Sequence, residues 1–151
     1  MITLTRTDSN NKDFIELVKQ LDAYLAEIDG KDHSFYAQFN KIGKIKYVIV
    51  AYENEIAVGC GGMKEYSNDS VEVKRMYVPA SMRGKGIASS VLSELEAWAK
   101  ELNYKKCVLE TGKRQPEAIS LYKKNGYQKI SNFGQYKNVD NSVCFEKELR
   151  K

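Results

Sequence analysis

The sequence predicts a mixed α/β (α+β) fold around a mostly antiparallel sheet of about seven strands. Two patterns alternate along the chain: short runs rich in β-branched and aromatic residues, and longer stretches with apolar residues three and four positions apart. The length of 151 residues suits a single domain, residues 1–151, with a core of its own. The charged residues, 29% of the chain, are mixed in sign, which is not the composition of a disordered protein.

The composition also narrows the classes of site and partner. The cysteines (Cys60, Cys107 and Cys144) are odd in number and lack CxxC spacing, so we expect a reduced, cytoplasmic protein without disulfides or zinc. His33 is the only histidine, which excludes a multi-histidine metal site. A net charge of +4 is too small and dispersed to indicate nucleic acid. No apolar run approaches the roughly 20 residues of a membrane span. We expect no metal, no nucleic acid and no membrane.

The first third of the chain reads as a strand followed by helices. Ile2 and Leu4 indicate a short strand, and Asn10 with Asp13 is close to a capping box. Residues 29–40 carry aromatic side chains at helical spacing and predict a second short helix or a structured loop. The first helix has one apolar stripe, formed by Phe14, Leu17, Val18, Leu21, Leu25 and Ile28.

The middle of the chain predicts a three-stranded antiparallel meander. Residues 47–52 are β-branched and aromatic, residues 55–64 form a second run after a tight turn, and residues 71–78 form a third. The second run contains three glycines. Glycine inside a strand indicates a bulge or the close approach of another group.

The last part of the chain adds two helices and three strands. A helix with one apolar face begins at Ile87, and a strand follows over residues 106–111. Pro116 suits the first position of a helix that ends near Lys124. The final strands are predicted over residues 127–130 and 141–149. The strand–helix–strand unit from 71 to 111 predicts a crossover between parallel strands.

An anion site is predicted where the third strand of the meander meets the next helix. The turn Arg83-Gly84-Lys85-Gly86 stands directly before Ile87. The first N–H groups of a helix lack internal partners, the helix dipole adds positive charge there, and glycine lets a ligand approach closely. The sequence lacks a Walker A motif, and Ser89 replaces the third glycine of a dinucleotide fingerprint.

This region resembles the GNAT family of N-acetyltransferases. Arg83-x-x-Gly86-x-Ala88 matches the family signature Q/R-x-x-G-x-G/A. The strand end at residues 76–79 and the stretch from Leu109 to Tyr127 are also similar to the family. The resemblance implies a GNAT-type fold, with helices on both faces of a twisted sheet and a V-shaped splay between the fourth and fifth strands.

The resemblance implies acetyl-CoA as cosubstrate, bound in the splay, and transfer of its acetyl group to a primary amine. By match, the backbone of Met76, Tyr77 and Val78 would pair with the pantetheine arm. Gln115 stands where many members have an asparagine that contacts CoA. The pyrophosphate would lie on the turn formed by Arg83, Gly84, Lys85, Gly86, Ile87 and Ala88.

The resemblance also implies direct attack of the amine on the thioester in a ternary complex. Glu72, eleven residues before Arg83, has the spacing of a family glutamate and is the first candidate base; Glu110 and a water chain remain alternatives. Strand alternation places Glu72 on the same face as Lys74, Met76 and Val78. Tyr122 matches the tyrosine that commonly protonates the CoA thiolate. A covalent route through Cys60 or Cys107 lacks a histidine partner in the sequence.

The acceptor, a small-molecule or peptide amine, is left open by the sequence. The acidic residues Asp22, Glu27, Asp29 and Asp32 can attract a cationic amine, or form a solvated helix face. The main rival is a non-catalytic module that binds acetyl-CoA as a sensor or regulator. A homodimer also remains open, because family members often dimerise. Four aromatic residues can shape the acceptor pocket or close the core: Phe35, Tyr36, Phe133 and Tyr136.

Overall fold

The structure is a computed structural model that describes residues 1–29 and 45–149. Most of the segment predicted as a second helix or loop, 29–40, lies outside these ranges. The strands are β1 (Ile2–Thr7), β2 (Tyr47–Glu53), β3 (Ile56–Ser67), β4 (Ser70–Tyr77), β5 (Lys106–Gly112), β6 (Gln128–Ile130) and β7 (Ser142–Glu148), and the helices are α1 (Lys12–Asp29), α2 (Ile87–Glu101) and α3 (Pro116–Lys124).

The seven strands form one mixed sheet in the order β1-β2-β3-β4-β5-β7-β6, which confirms the predicted fold class. Strands β1 to β4 are an antiparallel meander, and β4 with β5 is a parallel pair. That pairing runs only from Ser70 opposite Lys106 to Val73 opposite Leu109, although both strands continue. The two strands therefore separate, and the separation is the splay that the family resemblance implies.

Helices cover both faces of the sheet. On one face α2 packs Val91, Leu92 and Leu95 against residues such as Ile49 of β2. On the other face α1 packs its apolar stripe against the alternate residues of β2, including Val48. Because both faces are buried, β2 reads as a continuous apolar run instead of an alternating one. None of the helices in the described ranges has the length and apolar content that a bilayer crossing requires.

Two local predictions need correction. The cap of α1 comes from Asn11, not Asn10, because the Asn11 Oδ1 atom accepts a hydrogen bond from the Phe14 N–H at 2.9 Å. Strand β3 extends to Ser67, beyond the predicted end at residue 64. The extension pairs with the start of β4, which the local sequence pattern did not indicate.

The glycines of β3 allow the close helix packing that was predicted as one alternative. A Cβ atom on Gly61 would lie 2.9 Å from the Val91 Cγ1 atom of α2 and would also meet the Met76 sulfur. A Cβ on Gly59 would lie 2.8 Å from the Ile87 Cγ2 atom. Both distances are too short for a real carbon pair, so glycine is what lets α2 lie directly on β3.

A β-bulge at Arg75 overturns the predicted alternation of β4. Gly62 pairs with Lys74 but Cys60 pairs with Tyr77, so β4 carries one extra residue, and Arg75 has a left-handed φ of 59°. The side chain of Arg75 is paired with Asp22 of α1, whereas Met76 points toward α2. Glu72 and Met76 therefore lie on opposite faces, because the bulge inverts the alternation between them.

Replacing Gly61 with alanine is expected to lower the free energy of unfolding by about 2 kcal/mol, the usual order of a core overpacking cost. Urea denaturation monitored by Trp98 fluorescence measures this change. The double variant G61A/V91A should lose less than the sum of its single variants, because truncating Val91 removes an atom that the new Cβ meets. Additive losses would contradict the packing argument.

Candidate active site

Two joined cavities occupy the splay between β4 and β5. The larger cavity, about 420 Å³, lies between the end of β4, the start of α2 and α3, and is called the outer cleft. The smaller, about 100 Å³, is lined by Glu72, Lys74 and Glu110 among others and is called the inner pocket. The cavities share a waist formed by Leu21, Met76, Gln115, Ala118 and Tyr122.

One end of the outer cleft has the backbone geometry that was predicted for an anion site. Gly84 and Gly86 have left-handed φ values of 81° and 80°, and a Cβ at either would meet nothing within 4 Å. Backbone conformation, not crowding, therefore favours glycine at both positions. Gly86 is the N-cap of α2, and no side chain in the described part of the protein caps this helix. Its first N–H groups, including those of Ile87 and Ala88, are available to a ligand.

The two basic residues of the turn differ in position. Arg83 lines the outer cleft; its Nε donates to the Val78 carbonyl oxygen at 3.0 Å, and its guanidinium lies 5.3 Å from the Tyr24 ring centre. Lys85 is exposed, and its Nζ lies 4.0 Å from the Met82 sulfur. The side chain of Arg83 thus belongs to the wall of the cleft, and that of Lys85 lies outside it.

The exposed edge of β4 forms another wall of the outer cleft. Met76, Tyr77 and Val78 line it, beyond the last residue of β4 that pairs with β5. Gln115 is the N-cap residue of α3 and reaches the waist from the opposite side.

The inner pocket contains a buried polar triangle. Lys74 Nζ lies 3.3 Å from Glu72 Oε2 and donates to the Tyr136 hydroxyl oxygen at 3.2 Å. The Tyr136 hydroxyl in turn donates to Glu72 Oε2 at 3.4 Å. Burial lowers the pKa of Lys74, and the charge of Glu72 opposes that shift. The second candidate base, Glu110, accepts a hydrogen bond from the Ser142 hydroxyl at 2.6 Å.

The sequence pattern of the Acetyltransferase (GNAT) family matches residues 12–127. This chain belongs to the GNAT acetyltransferase family. It is 29% identical, over 98% of both chains, to a protein of Azospirillum brasilense named IAA acetyltransferase. A solved Klebsiella pneumoniae structure, named as an acyl-CoA N-acyltransferase, is 30% identical over 99% of both chains, with a TM-score of 0.83.

A solved GNAT family acetyltransferase from Elizabethkingia anophelis has acetyl-CoA bound. It matches over 98% of both chains at 20% identity and a TM-score of 0.71, a likeness that shows the shared fold. Acetyl transfer from acetyl-CoA is the general reaction of the family, so the chain is an acetyl-CoA-dependent N-acetyltransferase. The family resemblance of the sequence is confirmed.

Tyr122 of this acetyltransferase lies at the waist with only 6% of its surface exposed. Its ring packs edge-on against Tyr127, with centroids 5.8 Å apart, as the inward-facing position on α3 predicted. Burial, and then the charge of Glu110, raise the pKa of the Tyr122 hydroxyl. The hydroxyl is therefore protonated at neutral pH and can act as a donor.

The cysteines are poorly suited to a covalent route. Burial raises the pKa of Cys60 and of Cys107 to about 12, so both are thiols at neutral pH. Neither residue lines the outer cleft or the inner pocket. Within the described ranges, no three His, Cys, Asp or Glu side chains gather in a group that could hold a metal ion.

The expected acidic patch of the acceptor site is only partly described. Asp22 is paired with Arg75, and Glu27 is exposed on α1. The side chain of Asp29, and all of Asp32, Phe35 and Tyr36, lie outside the described residues.

Two predicted aromatic residues do lie near the inner pocket. Tyr136 lines it, and Phe133 packs edge-on behind Tyr136 with ring centres 5.7 Å apart. Lys74 and Arg75 also line it, and the sequence pattern predicted no functional role for either residue. The sequence contains a signal for both residues, because two adjacent basic residues inside a strand with apolar neighbours need charged or polar partners when they are buried.

Proposed function

We propose that this protein is a single-domain enzyme that acetylates a primary amine of a small molecule or peptide by direct attack within a ternary complex. The observation that carries the proposal is the continuity of the two cavities. The start of α2, which no described side chain caps, lies at one end, and the carboxylates of Glu72 (buried) and Glu110 (half-buried) lie at the other. Met76, Gln115 and Tyr122 line the waist between them.

In this proposal acetyl-CoA occupies the outer cleft. Its pyrophosphate binds the N–H groups at the start of α2 and over the turn from Arg83 to Ala88, with Lys85 adding charge. Its pantetheine arm pairs with the backbone of residues 76–78, and Gln115 contacts the arm from α3. The Val78 carbonyl oxygen accepts a hydrogen bond from Arg83 Nε and has a second lone pair for the pantetheine arm. The thioester then lies at the waist.

The amine enters from the inner pocket and must lose a proton, since an alkylamine has a pKa of about 10.4. Glu72 accepts that proton directly or through a water molecule. The nitrogen then forms a bond to the carbonyl carbon, and a backbone N–H near Met76 stabilises the oxyanion. When the carbon–sulfur bond breaks, the nitrogen loses its second proton to solvent and Tyr122 protonates the thiolate of CoA. The tyrosine then regains a proton from solvent, and Glu72 releases the one it took.

The cellular location, the partners and the oligomeric state are expectations from the composition and the family resemblance. The three free cysteines are buried and support a reducing, cytoplasmic location. The absence of a metal, a nucleic acid or a membrane partner is expected from composition, and a homodimer from the family resemblance.

The reaction is tested by measuring CoA release with acetyl-CoA and a broad panel of amines. We expect continuous turnover with at least one amine, intersecting initial-velocity lines, and no acetylated protein by intact mass when the amine is omitted. Binding of acetyl-CoA without CoA release with any amine would contradict the proposed transfer to a primary amine. An acetyl group on Cys60 or Cys107 would instead show a covalent route.

Replacing Tyr122 with phenylalanine is expected to lower kcat at pH 7 by about 100-fold, the usual contribution of a general acid. The deficit should shrink above the ordinary thiol pKa of about 8.5, where the thiolate leaves without a proton. The matched control is Y127F, which removes the neighbouring buried hydroxyl that bonds to Glu96. Equal losses of kcat in both variants would mean that Tyr122 is only a packing residue.

Glu72→Gln and Glu110→Gln distinguish the two candidate bases. E72Q should lower kcat/KM for the amine by about 100-fold at pH 7, and E110Q by much less. The E72Q deficit should shrink as the pH nears the amine pKa, since free amine then needs no base. Thermal unfolding and acetyl-CoA affinity verify that each variant is folded. A larger, pH-dependent loss in E110Q would transfer the role to Glu110.

A further inference from the structure

Arg75, which lines the inner pocket, carries a buried donor that the proposed chemistry does not use. Its side chain is only 3% exposed, and one terminal nitrogen is paired with the Asp22 carboxylate. The Nε atom is buried, and no atom of the described residues accepts its hydrogen bond. Arg75 lines the inner pocket beside Met76 of the waist.

A buried guanidinium with an unused N–H is costly unless an acceptor reaches it. Arginine presents its donors in a rigid planar fork that suits a carboxylate. The pairing with Asp22 does not satisfy that need, because it uses a different nitrogen. Asp22 is also half exposed, at 52% of its side chain, so water solvates its charge. The pocket side of Arg75 is therefore suited to an anion brought by a ligand.

In the part of the chain that the structure describes, the inner pocket is lined by three further charged residues, Glu72, Lys74 and Glu110. Lys74 is already held by Glu72 and Tyr136, so its charge is balanced within the protein. Glu110 adds a negative charge to the same pocket, beyond the balanced pair of Lys74 and Glu72, and this charge suits an ammonium group. The pocket thus presents cationic and anionic groups within a volume of about 100 Å³. A small zwitterion matches both signs, and a simple alkylamine matches only one.

We propose that the acceptor is an α-amino acid whose carboxylate binds Arg75 while its amine is acetylated. This inference rests on the proposed amine acetylation and specifies its substrate class. In an α-amino acid the nitrogen lies about 2.5 Å from the carboxylate carbon, by ordinary bond lengths and angles. The Arg75 guanidinium reaches Asp22, which follows the waist residue Leu21 on α1, so a carboxylate held at Arg75 brings the amine close to the waist. Arg75 is then a specificity-determining residue and Glu72 remains the base.

The experiment compares L-amino acids with their carboxamides, which keep the α-amine but lack the negative charge. The twenty common amino acids and the matching amides are assayed for CoA release with purified full-length protein. For the best acceptor we expect kcat/KM to favour the acid over its amide by about 30-fold, as for a hydrogen bond to a charged group. Arg75→Gln should reduce this ratio to near one, chiefly through KM of the acid.

The Asp22→Asn variant is the matched control, because it removes the ion pair but leaves the arginine. If Arg75 binds substrate, D22N keeps the preference for the acid and R75Q loses it. If Arg75 only ties α1 to β4, both variants lower kcat/KM for acid and amide together and leave the ratio unchanged, which overturns the inference. Amines acetylated without preference for a carboxylate would overturn it and leave the proposed function intact. Absence of turnover with every amine would overturn both.

Discussion

The early end of the pairing between β4 and β5 is the constraint on which the rest of the structure depends. Their hydrogen bonds end at Val73 and Leu109, although both strands continue. Backbone groups that lose a strand partner must find another acceptor or donor. In the splay these backbone groups can bond only to water or to a ligand. The starts of α2 and α3 both line this cleft. A sheet that stayed paired would have no room for an acetyl-CoA molecule.

The bulge in β4 divides that cleft into two environments. The left-handed conformation of Arg75 is unfavourable for a residue with a Cβ, and the surrounding pairing and the ion pair with Asp22 hold it in place. Past the bulge, Met76 turns toward α2, where Gly61 leaves room for its side chain. Before the bulge, Glu72 and Lys74 stay on the opposite face. One extra residue therefore separates the apolar wall of the outer cleft from the charged wall of the inner pocket.

The proposed chemistry depends on how burial sets the protonation of each group. Burial raises the pKa of the Tyr122 hydroxyl and of the Cys60 and Cys107 thiols, which are protonated at neutral pH even at their ordinary values. Of the three, only Tyr122 lines the waist, which favours a proton donor there over a cysteine nucleophile. Lys74 is buried as well, yet Glu72 opposes the loss of its proton. In the proposed mechanism, the pocket therefore holds a charged pair, Lys74 and Glu72, close to the reacting amine.

Local sequence patterns alone determined the order of the secondary-structure elements and several residues of the candidate site. The order of strands and helices follows from apolar periodicity, and the turn at Gly84 and Gly86 follows from the local need for left-handed backbone, so both were readable from the sequence. Tyr122 was placed in the core correctly because its position depends only on helical spacing. The bulge at Arg75, the pair with Asp22 and the triangle of Glu72, Lys74 and Tyr136 were decided by tertiary structure. Their partners are up to 64 residues apart, and no local periodicity records which distant side chains the sheet brings together.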